Sequence, residues 1–491
     1  MTPTLIATVI IGYFLLLILV SRLTAGKGDN STFFTGGRNA NWMVVAFGMV
    51  GASLSGVTFI SVPGWVDSSQ FSYMQMVLGY ILGYIVIATV LLPLYYRLQL
   101  TSIYTYLQER FGNASYKTGA SFFLLSRIIG ASFRLYLVAI VLDTFVFKGQ
   151  LDFVYIVIIT IGLIWIYTFK GGIKTIIWTD TLQTACMLLA VIITVVGISQ
   201  ALSLDLSGVI STIKESEYSK VFFWGESAGK MHFLKQFFAG AGIALVMTGL
   251  DQDMMQKNLA CKNIKDAQKN VMSLSIVLVF VNLLFLSMGA LLYIYAAEKG
   301  IDVKGDLLFP TIALESGLSV TIGLFFILGL IASAYSSADS ALTALTTSFY
   351  VDILESPGKD EKEQTNHRRW VHLCMSITLI FVIWIFHAIN DDSVVKQVFT
   401  FAGYTYGPLL GLYAFGLFTP FYPKDNLVPI VCVLAPVLSY LISAHCLPMG
   451  FELLWFNGAL TFMGLMLISR RLRETIESVI PSEMEEPIEL A

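Results

Sequence analysis

The chain has 491 residues, of which 56% are hydrophobic and only 13% charged, and its mean hydropathy is +0.75. That composition excludes a water-soluble domain and specifies an all-α, polytopic membrane protein with the lipid bilayer as its surroundings. A formal net charge of -3 provides no basic surplus to neutralise phosphate, so nucleic acid is excluded as a partner.

Apolar runs of roughly 20 residues recur, about thirteen in all, which predicts about 13 transmembrane helices. The first, near 3–22, follows no basic segment and precedes no small-residue cleavage site, so it reads as a retained membrane helix. The second, 40–66, is crowded with Gly48, Gly51, Ser53, Ser55, Gly56, Thr58, Pro63 and Gly64. Runs follow at 73–96, 118–146, 151–169 and 175–201, then a polar segment. The seventh run, 232–252, holds Gly240, Gly242, Thr248 and Gly249, with Asp251 beyond. The remaining runs lie at 271–297, 318–350, 371–389, 396–418, 426–444 and 450–469.

Glycine and polar residues weaken a helix interior. A broken helix at membrane depth is tolerated where it lines a cavity or is buried in protein. The second and seventh runs are therefore expected to be discontinuous; the alternative is glycine serving close packing. Counted from the second run, they are the first and sixth helices of a ten-helix core, where two inverted five-helix repeats would put them. The expected organisation is an extra helix and cytoplasmic loop (1–39), a first repeat (40–201) and an extracellular loop (202–231). A second repeat (232–418), two further helices (419–469) and a cytoplasmic tail (470–491) complete it. With the N-terminus outside, about twenty basic residues fall in inside loops, Lys257 and the cluster Arg470, Arg471 and Arg473 among them, against about seven outside. The expected location is the cell inner (plasma) membrane, multi-pass, with the C-terminus cytoplasmic.

In the ninth run, Ser333, Ser336, Ser337 and Ser340 share one helix face, with Asp339 at its edge. A buried hydroxyl stripe beside a carboxylate offers oxygen to a hard cation such as Na⁺. Close helix packing also explains small residues, but an ionisable group inside a membrane helix marks a functional site. In the fourth run, Arg127 and Arg134 stand seven apart, hence on one face. A buried guanidinium suits a carboxylate; an internal salt bridge or snorkelling is the other reading. The five cysteines form no CxxC pair and the five histidines no HExxH spacing. Gly225 to Lys230 has one residue too few for a phosphate loop. With no nucleophile–base spacing either, an enzyme is not expected.

Several stretches together resemble the sodium/solute symporters, whose members share the leucine-transporter fold and carry sugars, proline, sialic acid, iodide and vitamins. They are Ser53-Leu54-Ser55-Gly56-Val57-Thr58-Phe59, Trp178-Thr179-Asp180, Asp251-Gln252-Asp253-Met254-Met255-Gln256-Lys257 with Ala267-Gln268-Lys269, Ser336-Ser337-Ala338-Asp339-Ser340, and Gly403 to Gly416. The resemblance implies a Na⁺ site built from carbonyls of Gly51, Leu54 and Ser333 and hydroxyls of Ser336 and Ser337. Some relatives hold a second Na⁺, and Asp180, Ser336, Asp339 and Ser340 fall on matching positions. Asp339 stands where those relatives often have Ser or Thr, and such a carboxylate strengthens a cation site or carries a proton.

The solute pocket is expected at mid-membrane, beside the broken helices. Its candidates are Ser55, Thr58, Tyr73, Met76, Tyr80, Arg134, Met247 and Tyr404, with Gln75 in addition. Ser55 and Thr58 match positions that hold a carboxylate in sialic-acid-type relatives. Ala244, Met247 and Thr248 replace the polar and aromatic residues of sugar carriers. These features tilt the expectation to a small polar organic solute that is an anion, such as a sialic acid or other carboxylate. A sugar or polyol of the glucose, galactose or inositol type is the alternative. A transporter-like sensor and a channel are the readings from other classes. A monomer is compatible with the sequence.

Overall fold

The computed structural model describes residues 3–24, 30–355, 360–389, 394–446 and 449–471. Every one of the apolar runs is helical in those residues. In chain order the helices are α1 Pro3–Thr24, α2 Trp42–Gly64, α3 Tyr73–Arg97, α4 Asn113–Phe147, α5 Phe153–Phe169 and α6 Gly172–Ala201. Then come α7 Phe233–Gly249, α8 Gln252–Leu259, α9 Ile264–Lys299, α10 Val320–Ile353, α11 Glu361–Ile389, α12 Val394–Phe418, α13 Val428–His445 and α14 Leu453–Leu467. Among the described residues, eight helices are long and apolar enough to cross a bilayer unaided. α7 and α8, bent by 64°, make a ninth span if taken as one. Thr8–Thr24, α5 and α14 are shorter apolar helices, so the thirteen-span expectation rests partly on them. Arg473 and the acidic stretch from Ser482 lie outside the described residues.

Local chemistry sets the helix starts. Asn41, Asp152 and Ser319 each accept a hydrogen bond from a first-turn backbone N–H of α2, α5 and α10. α5 and α6 are parted at Gly172, whose φ of 53° suits glycine, and where a Cβ would lie 2.4 Å from the Phe33 backbone. The lipid-facing surface is apolar. Ile11, Leu15, Leu19 and Leu23 recur every fourth residue along α1, all exposed. The inner layer is different: α10 is buried along nearly its whole length, packed against α2, α4, α5 and α6.

Both discontinuities exist, at narrower places than the glycine clusters suggest. In α2 the one residue off helical geometry is Ser55 (φ 53°, ψ 171°). In the seventh run the helix continues through Gly240 and Gly242, which serve packing instead. A Cβ at Gly240 would lie 2.0 Å from the Met76 carbonyl oxygen, and one at Gly242 would lie 2.6 Å from the Trp455 indole nitrogen. The interruption comes at Leu250 and Asp251, after a π-helical turn over Leu245–Gly249.

Candidate functional site

Ser55 breaks the helical geometry of α2, and the turn before it is the C-terminal end of the first half-helix. Gly51 and Leu54 lie in that final turn, which is also the negative end of a half-helix dipole. α10 closes the other side. A Cβ at Gly56 would lie 3.6 Å from Ser333 Oγ, so the break abuts the serine stripe. Ser333 donates to the Leu330 carbonyl at 2.8 Å, and Ser336 donates to Asp180 Oδ1 at 2.6 Å. Ser337 Oγ is buried and has no hydrogen-bond partner. Gly51 is pinned to α6: its N–H donates to Thr184 Oγ1 at 3.1 Å, and a Cβ would lie 2.2 Å from that oxygen. The carbonyl end of a half-helix and an unpartnered hydroxyl at one junction fit a hard cation with oxygen ligands.

Of the four residues of the candidate second site, three are joined by side-chain hydrogen bonds, and Asp339 is not one of them. Asp180 gathers the hydroxyls of Ser336 and, at 3.4 Å, Ser340. Asp339 turns aside: Oδ2 accepts from Tyr167 Oη at 2.9 Å and from Thr179 Oγ1 at 3.5 Å. On a helix, position 339 is rotated about 100° from 340, which explains the divergence. Asp180 meets Lys257 instead, whose Nζ lies 2.7 Å from Oδ2. Lys257 was counted above as a loop charge. It is buried, because α8 folds back into the protein with all eight of its residues enclosed.

Beside the break lies a cavity of about 90 Å³, room for roughly half a dozen waters at ~10–15 Å³ each. Ser55, Thr58, Tyr73, Tyr80, Arg127, Arg134 and Met247 all line it. The Tyr73 and Tyr80 hydroxyls are 3.0 Å apart. The π-helical turn of α7 brings Met247 and Thr248 to the same wall. Beyond Ser55 the second half of α2 begins, and the N-terminal end of a half-helix favours negative charge. The break thus sets a half-helix C-terminus, which favours cations, beside a half-helix N-terminus, which favours anions.

Two expected pocket residues lie elsewhere. Met76 is fully buried beneath Gly240, where α3 and α7 touch backbone to backbone. Tyr404 turns from the cavity to stack edge-on with Tyr440, ring centroids 6.2 Å apart. Gln75 fastens the 202–231 segment, accepting from Phe223 N at 3.1 Å and donating to the Met231 carbonyl at 2.9 Å. The sequence reading overlooked Tyr84 and Asn282, both on the cavity wall. The Asn282 carbonyl oxygen is buried without a partner; an asparagine inside an otherwise apolar run was the available signal.

The two arginines divide their roles. Arg127 is paired with Asp253 and lies 3.6 Å from Asp251, which also accepts from Tyr406. Asp253 in turn lies 3.8 Å from Lys257. Arg134 is buried, lines the cavity and leaves Nε unpartnered. Among the described residues no carboxylate lies within ion-pair distance of it. The cavity wall therefore carries one uncompensated guanidinium.

Comparison with known proteins bears on the family and the fold. A family model described as the sodium:solute symporter family matches residues 33–421. The sodium/sialic acid symporter NanT of Aliivibrio fischeri is 26% identical over 80% of this chain and 78% of its own. The human sodium/iodide cotransporter is 24% identical over 83% of this chain and 66% of its own. A solved Na⁺-coupled sialic acid symporter, in a substrate-bound outward-open state, superposes with a TM-score of 0.81 at 18% identity. That match covers 95% of this chain and 99% of the other, which establishes a shared fold.

Proposed function

The chain belongs to the sodium:solute symporter family, and from that premise we propose that it imports a small organic anion, a sialic acid or another carboxylate, by alternating access. The observation that carries the choice of solute is Arg134: a buried guanidinium on the cavity wall, with no carboxylate among the described residues within ion-pair distance. A bidentate carboxylate satisfies it best. Ser55, Thr58 and the half-helix N-terminus add hydrogen-bond donors beside it. Relatives named for sialic acid and for iodide, both anions, support the same reading.

Sodium binds between Gly51, Leu54, Ser333, Ser336 and Ser337, joining the broken helix α2 to α10. It orders the break, and with it Ser55, which lies in the cavity wall. Coupling of this kind is reciprocal, so each ligand must tighten the other. The N-terminus lies outside and the C-terminus in the cytoplasm; with α7–α8 counted as one bent element, α2 to α12 make ten core helices in two inverted five-helix repeats, α2 to α6 and α7 to α12, that rock about the bound ligands.

Uptake into proteoliposomes tests this. Labelled sialic acids, monocarboxylates, sugars and polyols are offered with and without an inward sodium gradient. A carboxylate taken up only with the gradient is the expected result. Gradient-driven uptake of neutral sugars alone would overturn the anion assignment.

A further inference from the structure

We propose that the oxygen cluster of Asp180, Ser336 and Ser340 is not a sodium site: its resident cation is the Lys257 ammonium, so that one sodium accompanies each solute. The inference rests on the sodium coupling proposed above and fixes its stoichiometry.

The cluster has the chemistry of a cation site, since a buried carboxylate is joined by two hydroxyls, Ser336 at 2.6 Å and Ser340 at 3.4 Å. Lys257 Nζ occupies it at 2.7 Å from Asp180 Oδ2, and both side chains are 1% exposed. A sodium on the same carboxylate would stand close to a buried ammonium, and like charges at such short range repel strongly in a buried site. Lys257 is also held in place. Asp253 lies 3.8 Å from its ammonium on the next turn of α8, and Arg127 holds Asp253 from the far side. Asp251 caps α8, accepting from Asp253 N at 2.9 Å. Asp339 makes its side-chain contacts with Tyr167 and Thr179 and no side-chain hydrogen bond with this cluster.

The arrangement also orients a sodium ligand. The Ser336 hydroxyl gives its proton to Asp180, which leaves the oxygen lone pairs directed away from that bond. Those lone pairs are what a cation at the α2–α10 junction requires. Lys257 holds Asp180 in place, and so acts as a positioning residue for Ser336. The salt bridges then run from Arg127 on the cavity wall through Asp253 and Lys257 to Asp180, one hydrogen bond from the junction.

Equilibrium binding of ²²Na⁺ to the purified full-length protein, without solute, decides the matter. One ion per chain is expected for the wild type, and two for Lys257→Met, which keeps the side-chain length and frees Asp180. A Lys257→Met/Asp180→Asn protein, neutral at both positions, should return to one. Two ions in the wild type would overturn the proposal even if neither variant folds, and one ion in a folded Lys257→Met would do the same. No binding in the wild type would instead overturn the sodium coupling on which it rests, so the two failures are told apart.

Discussion

The Ser337 hydroxyl is buried with nothing to bond, and an unsatisfied group of that kind costs about 1–3 kcal/mol. A bound cation repays that cost, so Ser337→Ala should leave the protein folded while raising the sodium concentration for half-maximal uptake about tenfold. An unchanged half-saturation would remove Ser337 from the site. Arg134→Ala removes a charge-assisted contact of about 2 kcal/mol, which lowers affinity for a carboxylate solute about 30-fold; uptake kinetics at fixed sodium report it. Ser55 sits at φ 53° and ψ 171°, a conformation that costs a non-glycine residue about 1–3 kcal/mol. Ser55→Gly should therefore raise the thermal unfolding midpoint yet weaken solute binding, because the hydroxyl leaves the cavity wall. The serines of α10 were legible because a helix brings positions three and four apart onto one face. Asp339 and Lys257 were not: spacing gives the direction of a side chain, but not which carboxylate it meets across an interface. Lys257 looked like a loop charge since nothing local distinguishes a polar helix that returns to the interior from one that stays outside.

At the scale of the elements, runs of glycine announced irregular helices and turned out to do two jobs. α3 and α7 approach so closely that a Cβ at Gly79 would lie 1.9 Å from the Phe237 carbonyl oxygen, and one at Gly83 would lie 2.5 Å from that of Ala241. With Gly240 against Met76, this is a small-residue interface of the kind that lets membrane helices pack backbone to backbone. Gly240→Ala must push the helices apart or distort one of them. An overpacking cost of about 1–3 kcal/mol follows, read as a lower unfolding midpoint in detergent. Gly162→Ala, on an exposed part of α5 with nothing within 4 Å, is the control and should be neutral. Apolar length and helix position could be read directly from the sequence. Which glycine breaks a helix and which one packs it could not, because that depends on the neighbour.

For the whole molecule, the buried charges set the driving force. One sodium carried with one monoanion moves no net charge across the membrane. Steady-state accumulation of a monocarboxylate in proteoliposomes should then be the same with and without an inside-negative potential of about 100 mV. Each additional charge moved would add about 2.3 kcal/mol at that potential, close to a 50-fold rise. Measured alongside the ion count, this shows whether Lys257 has replaced a transported ion. Beneath all of this lies the cation at the α2–α10 junction, and a density map of the purified protein in saturating sodium tests it most directly. The expected map holds an ion between the Gly51 and Leu54 carbonyls and the Ser336 and Ser337 hydroxyls, which disappears when sodium is exchanged for a large organic cation. A junction that closes into unbroken helix through Ser55, with no ion in either buffer, would contradict it.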